Sequence, residues 1–338
     1  LIVSDADTAE IARYALGRTG LSWSEHRHEF TLRSHDDITT FLCNAGVYTA
    51  SVTYNGNVSI STKGKTLDVL DADEYRNFIT NYYGADSDAA ALLGNASTNW
   101  QDKIYRTAIS IDHNITISGG LANMPYRFSV GYTDQDGIVR TSSFRRTTAS
   151  TTLNPSFLQD HLKFNINGKF MYSHNRYANE DAISDATRMD PTQPVTSTDA
   201  KYAKYHGYFQ WTDGASSLGD PTYSDMWNRN TAANPVSRLY EKHDRANSYD
   251  YMGNIEADYQ IHGFEDLRLH ANASGDWANG QQDTDYTNWG PSNFYYGNTG
   301  YVYEKKYNLT FSAYAQYYKD FLKTQHFDII AGYEWSHN

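Results

Sequence analysis

The sequence predicts an all-β fold, a partial transmembrane antiparallel β-barrel. Three observations carry this: strict alternation of apolar and polar side chains from residue 52 onward, strands of ten residues or more, and connections that are alternately short and long. Strict alternation gives a sheet one apolar and one polar face. Soluble strands run to about 5–6 residues, whereas a tilted bilayer-spanning strand needs about 9–11. Connections sorted by length onto opposite ends of a sheet are a habit of outer-membrane barrels, which have short inner turns and long outer loops. A soluble sandwich has no physical reason to sort them.

Residues 1–50 show little alternation, with mixed charge and three histidines (His26, His28, His35). A helix over Ala6–Leu16 is the one element they offer. Nine strands follow, at 52–61, 107–119, 125–134, 144–153, 160–173, 245–259, 266–279, 303–320 and 325–338. In the fifth, Phe164, Ile166, Gly168, Phe170 and Tyr172 alternate with Lys163, Asn165, Asn167 and Lys169. In the seventh, Leu267, Leu269, Ala271, Ala273, Gly275 and Trp277 alternate with Arg268, His270, Asn272, Ser274 and Asp276. Small outward residues such as Gly168, Gly253 and Ala313 would fill a sandwich core badly, but they are acceptable against lipid tails.

The short connections are 120–124, 154–159, 260–265 and 321–324. The long ones are 62–106, 174–244 and 280–302, and a tight hairpin lies at Gln135-Asp136-Gly137. Pro125 opens a strand and the other prolines fall in connections, where a missing N–H costs no ladder bond. Asp71-Ala72-Asp73-Glu74 reads as a capping box, followed by Tyr75, Phe78, Ile79 and Tyr82 at helical spacing and a stop at Gly84. A weaker helix covers 180–189. Both lie in long loops and are therefore placed on the outer side.

Composition narrows the function. With 28 Lys+Arg against 40 Asp+Glu, a formal charge of −12, the chain lacks the basic stripe that nucleic acid requires. Cys43 stands alone, which excludes a disulfide framework, a zinc knuckle and a Cys-x-x-Cys pair. No apolar run reaches the ~18–20 residues of a spanning helix. The chain nevertheless carries 29 Tyr, 14 Phe and 7 Trp, rings whose apolar bodies and polar tips suit contact with sugars or lipid headgroups. Tyr132, Tyr172, Tyr259, Tyr317 and Trp335, near strand ends, read as girdle rings.

Chemical motifs are sparse. His26-x-His28 with Glu25 and Glu29 lacks a third ligand and reads as a solvated stretch. Asp134-x-Asp136-Gly137 resembles the start of a calcium loop, but position 12 of that loop is Arg145 rather than a bidentate Glu. Asp283-x-Asp285 is a weaker calcium candidate. No nucleophile elbow, Walker loop or dinucleotide fingerprint is present, and no two carboxylates stand out as a glycosidase pair. No catalytic residue, metal ligand or cofactor is therefore expected. The ligand-binding candidates are loop aromatics: Tyr208, Phe209, Trp211 and Trp227 in 174–244, and Trp289 and Tyr295 in 280–302. Such rings stack on sugar faces or pack against a lid protein. A minicore within the loops is an equally good home for any one of them.

A series of short blocks points to a family. Val52-Thr53-Tyr54-Asn55-Gly56-Asn57-Val58-Ser59 leads to Lys65-Thr66-Leu67-Asp68-Val69-Leu70 and Ala72-Asp73-Glu74-Tyr75-Arg76. Thr98-Asn99-Trp100-Gln101-Asp102, Tyr126-Arg127-Phe128-Ser129-Val130-Gly131-Tyr132 and Met189-Asp190-Pro191-Thr192-Gln193-Pro194-Val195 follow in order. Together they resemble the SusC/RagA-like TonB-dependent outer-membrane transporters of Bacteroidetes. The resemblance covers about 52–338.

It implies a barrel of about 22 strands around a plug, a SusD-like surface lipoprotein as lid, energy delivered through TonB, and outer-membrane lipid around the wall. Residues 51–338 are then expected to be the N-terminal part of the barrel. Residues 1–50 stay unassigned, as a divergent plug end or a truncation artefact. Nine strands do not close so large a barrel, so the chain is expected to be a fragment. The implied function is import of an oligosaccharide, a peptide or another large nutrient, without covalent chemistry. The competing reading is a secreted all-β carbohydrate-binding or glycoside-cleaving protein that carries the same rings on a soluble scaffold.

Overall fold

The computed structural model describes residues 22–24, 29–31, 49–121, 123–214, 225–291, 296–321 and 325–338. The helix expected over Ala6–Leu16, the histidine pair at 26 and 28, Cys43 and Tyr295 lie outside the described residues. Two short strands, β1 (Ser22–Ser24) and β2 (Glu29–Thr31), pair antiparallel. The main sheet holds β3 (Thr49–Ser61), β4 (Ala108–Leu121), β5 (Met124–Asp136), β6 (Ser143–Leu153), β7 (Ser156–Phe157), β8 (Leu162–Tyr177), β9 (Lys242–Gln260), β10 (Leu267–Tyr286), β11 (Asn298–Phe321) and β12 (Gln325–His337). Its order is β12-β11-β10-β9-β8-β6-β5-β4-β3, antiparallel throughout, with the two-residue β7 beside β8. A meander of this kind places alternate connections at opposite ends. All nine expected strands are present.

The register sorts every side chain onto one of two faces. One row runs Tyr126, Leu153, Ile166, Ile255, Ala273, Phe311, Trp335 across seven neighbouring strands. Its neighbours one residue along are Arg127, Thr152, Asn167, Asn254, Ser274 and Thr310, which occupy the other face. Among the described residues no second sheet covers the apolar face, and Ile255 and Val130 are 53% and 57% exposed. An apolar face this long is unstable in water and at home in lipid.

Rings and leucines mark the limits of the apolar band. On β8 it runs from Leu162 to Tyr172, on β9 from Tyr259 to Tyr249, on β10 from Leu267 to Trp277 and on β11 from Tyr317 to Tyr307. Ten residue steps at ~3.4 Å, tilted by ~40°, give a band about 26 Å tall, the height of a barrel's lipid belt. Aromatic rings line its upper edge: Tyr172 lies 4.9 Å from Tyr249, and Phe170 lies 5.0 Å from Tyr251. Tyr259, Tyr317 and Phe327 border the lower edge. Trp335 pairs with Phe311, inside the band rather than at its rim.

Four strands, β8 to β11, run beyond the expected boundaries at the long-loop end. β10 continues to Tyr286 and β11 begins at Asn298, so the expected loop 280–302 shrinks to 287–297. The expected loop 174–244 becomes 178–241. The reason is physical. Past Trp277 the outward positions Asn279, Gln281 and Asp283 are as polar as the inward ones, yet their pairing to Lys305, Tyr303 and Tyr301 continues unbroken. Hydrophobic alternation therefore ends where lipid ends, while the hydrogen-bond ladder goes on. The hairpin at 135–137 likewise widens to 137–142.

At the long-loop end lie α1 (Ala72–Tyr83), α2 (Asp88–Ala91), α3 (Trp100–Ile104), α4 (Asp181–Ala186), a 3-10 turn (Ala200–Tyr205) and α5 (Pro235–Tyr240). Both expected helices are here, the second shortened to six residues. No helix among the described residues is long and apolar enough to cross a membrane. The buried core of the chain sits in this cap, not in the sheet.

Candidate functional site

The cap is assembled from segments that are distant in sequence. α1 begins where the Asp71 carboxylate accepts the N–H groups of Asp73 and Glu74, both at 2.9 Å, and Glu74 accepts the Asp71 N–H at 3.0 Å. It ends at Gly84, whose φ of +96° suits glycine. The stretch Asp190–Gln193 then staples the first long loop to the second. Asp190 accepts the Thr192 N–H and hydroxyl, both at 2.7 Å, which fixes a turn. The carbonyls so presented accept the N–H of Ala96 at 3.0 Å and of Thr98 at 2.9 Å.

Asn234 is the second organiser. It is fully buried and uses its whole amide: Oδ1 caps α5 by accepting from Val236 and Ser237, and Nδ2 donates to the carbonyls of Val195 and Phe209. Pro235 at the first helical position follows naturally, since no partner is needed for its nitrogen. Around these pivots pack Trp100, Ile104, Met189, Tyr202, Tyr205 and Leu239.

The expected binding rings divide. Phe209 is 6% exposed and belongs to the cap core, 5.2 Å from Tyr202. Tyr208, Trp211, Trp227 and Trp289 are half-buried and pack against that core from its edge. Trp211 meets Phe209 edge-on at 5.3 Å, Arg238 lies over Trp227 at 5.6 Å, and Lys204 lies over Trp289 at 4.8 Å. The rings at the cap edge are therefore part packed and part exposed, with cations over two of them.

A groove of about 590 Å³ opens between the two long loops. Asp68, Asp71, Glu74 and Tyr75 are among its lining residues from the first long loop, with Thr98 and Asn99, and Arg188 is among those from the second. Burial and the nearby Asp190 carboxylate push the Tyr75 phenol up, so it is a neutral donor. The groove thus combines acceptors and donors with apolar surface from Val69, Leu70 and Met189, a lining that suits hydroxyl- or amide-bearing ligands. It has no local sequence signal, because its residues come from both long loops.

At the foot of the cap, Glu241 is 6% exposed and accepts from Ser237 Oγ at 2.9 Å, with His206 Nδ1 on its other oxygen. Burial pushes its carboxyl up, against the pull of both hydrogen bonds. Its backbone carbonyl accepts the Thr287 N–H at 3.0 Å, which ties the third loop to the second.

The calcium candidates have other occupations. Asp134 ion-pairs with Arg145 at 3.2 Å and Asp136 with Arg106 at 3.0 Å. Asp283 accepts from Gln281 at 2.8 Å. No cluster of three or more metal-ligating side chains occurs among the described residues.

A single-layer antiparallel wall with a lipid belt, a polar face and a folded outer cap defines the chain as transmembrane β-barrel protein. Its relatives give the particular family. It is 47% identical over 288 residues to TonB-dependent receptor SusC of Bacteroides thetaiotaomicron, covering 85% of this chain and 28% of SusC. It is 26% identical over 215 residues to TonB-dependent receptor P3 of Formosa agariphila, covering 61% of this chain and 19% of that one. In structure it matches the RagAB peptide transporter with a TM-score of 0.63 at 17% identity, over 86% of this chain and 35% of that chain. No family model matches the sequence. The chain is SusC/RagA-like TonB-dependent receptor sequence, and it spans about a quarter to a third of the length of SusC and of that RagAB chain.

Proposed function

We propose that the chain forms part of the wall and outer cap of an outer-membrane, TonB-dependent importer of oligosaccharides or other large nutrients. In this reading it works with a SusD-like surface lipoprotein and draws energy from TonB. The observation that carries it is the 47% identity to SusC along 85% of the chain, which takes in both wall and cap. Peptide is the second substrate class, favoured by the fold it shares with a peptide transporter. The relatives are receptors, which supports passage of substrate rather than cleavage.

Substrate is held at the cap. The half-buried rings Tyr208, Trp211, Trp227 and Trp289 give flat apolar faces, and the groove beside Asp71, Glu74 and Tyr75 gives hydrogen bonds. Phe209 acts from behind by holding Trp211, and Tyr295 stays with the proposed set on sequence grounds. Such a division suits sugars, which present an apolar face and a rim of hydroxyls.

The test is uptake by cells that carry the complete receptor. Trp211→Ala and Trp227→Ala are expected to lower uptake of oligosaccharide, with the protein still present in the outer membrane at the parental level. Unchanged uptake of both oligosaccharides and peptides in the double variant would remove the rings from the site.

A further inference from the structure

The outward face of the wall is not uniform. Gly168, Gly253 and Gly275 stand side by side in register on β8, β9 and β10, in the upper half of the lipid belt. Above them Tyr251, Trp277 and Tyr307 form an overhanging row, and Leu309 closes one side. The result is a groove of about 550 Å³ open towards lipid. Its floor is vacant at Gly253, where an added Cβ would find no atom nearer than Asn167 O at 4.0 Å.

Cations stand at the upper rim. Lys305 lies one outward position beyond Tyr307, at headgroup height, with its ammonium 4.8 Å from the centre of the Trp277 ring. Further along the same rim Arg176 and Arg245 face each other directly across β8 and β9. Like charges opposed in a ladder destabilise it unless an anion lies between or above them. Asp283, opposite Arg245, accepts from Gln281 instead. None of the three cations ion-pairs with a carboxylate among the described residues. An apolar slot therefore ends in uncompensated positive charge at the depth of lipid phosphates.

We propose that this groove is a binding site for a phosphate-bearing anionic lipid, with one acyl chain lying over Gly253 beside Leu309 and the phosphate on Lys305. The proposal rests on the lipid face of the wall and is independent of what the receptor imports. The indole of Trp277 reports on the site because it borders both the chain and the charge.

The complete receptor would be reconstituted with bilayers containing phosphatidic acid or phosphatidylcholine, each with brominated acyl chains. The Trp277 component of emission is obtained by difference from a Trp277→Phe variant. Brominated phosphatidic acid is expected to quench that component with about fivefold greater effective affinity than brominated phosphatidylcholine, the effect of one lysine at a membrane surface. Lys305→Gln should abolish the preference. Gly253→Leu, which fills the slot without backbone strain, should remove quenching by phosphatidic acid beyond that of phosphatidylcholine. Equal quenching by the two lipids, or a preference that survives Lys305→Gln, overturns the proposal. So does protection of Trp277 from both lipids, which would mean that protein covers the groove. Failure of the uptake test would leave all of these outcomes readable.

Discussion

Trp100 donates its indole N–H to the backbone carbonyl of Asp190 at 2.8 Å, joining residues 90 apart in sequence and in two different loops. The ring is 3% exposed and sits among the cap's largest side chains. Removing it by Trp100→Ala is expected to cost about 3–5 kcal/mol. The loss should fall on the cap: hydrogen exchange would accelerate at 94–104 and 189–195, while amides of β9 and β10 keep their protection. Equal loss in the strands would show that cap and wall unfold as one unit.

Two glycines separate close packing from open space. At Gly94 an added Cβ would lie 2.3 Å from Thr192 O, a backbone atom fixed by the Asp190 turn. Gly94→Ala should therefore destabilise the cap by about 1–3 kcal/mol. At Gly253 the nearest atom is 4.0 Å away, so Gly253→Ala should change stability by less than about 0.5 kcal/mol. Protease susceptibility of the cap in denaturant checks the pair.

Asn234→Ala would remove a helix cap and leave the Phe209 carbonyl without its donor, while the Val195 carbonyl keeps the Phe209 N–H at 3.1 Å. A lost cap costs about 1 kcal/mol and a stranded buried acceptor about 1–3 kcal/mol, so a total of about 2–4 kcal/mol is expected. Asn234→Asp keeps the capping oxygen but sets a buried acceptor against the two carbonyls, so it should destabilise the cap at least as much as Ala. Limited proteolysis between 195 and 240 should leave the parent the most resistant of the three forms.

Burial raises the Glu241 carboxyl above its ordinary value of 4.5. A carboxyl raised in the folded state favours folding when protonated. Its contribution is complete below the ordinary carboxylate range and is lost as pH climbs through the raised value. The hydrogen bonds from Ser237 and His206 moderate the loss without reversing it. Protection factors at 204–208 and 287–290, exchange rates corrected for the intrinsic rate at each pH, should therefore fall as pH rises across that window. Glu241→Gln, which keeps the shape and removes the charge, should flatten the profile; an unaltered profile would show that another group controls it.

Much of this architecture was legible in the sequence, because lipid imposes a period of two on any strand that crosses it. Phe164 to Tyr172 and Leu267 to Trp277 are read correctly for that reason, and so are the alternating loop lengths. That period is lost where the solvent changes. From Asn279 to Tyr286 both faces meet water, the alternation vanishes, and a continuing strand looks like a loop. The cap was less legible still. Its core joins Trp100 to Met189 and Phe209 to Leu239 through contacts with no local period, so Phe209 reads as a binding ring although it is buried. The pivots left fainter marks: Asp190-Pro191-Thr192 as a turn and Asn234-Pro235 as a helix start.

The lipid-facing wall can be tested directly by nitroxide scanning along β9. With Cys43 and any further cysteine of the complete receptor replaced by serine, spin labels would be placed one at a time at residues 249–259 of the reconstituted receptor. Collisions with oxygen, which is concentrated in lipid, should peak at Tyr251, Gly253, Ile255 and Ala257. Collisions with a water-soluble nickel chelate should peak at Met252, Asn254, Glu256 and Asp258. Profiles out of phase with a period of two are the expected result. Nickel access at both sets of positions would contradict a membrane-spanning wall.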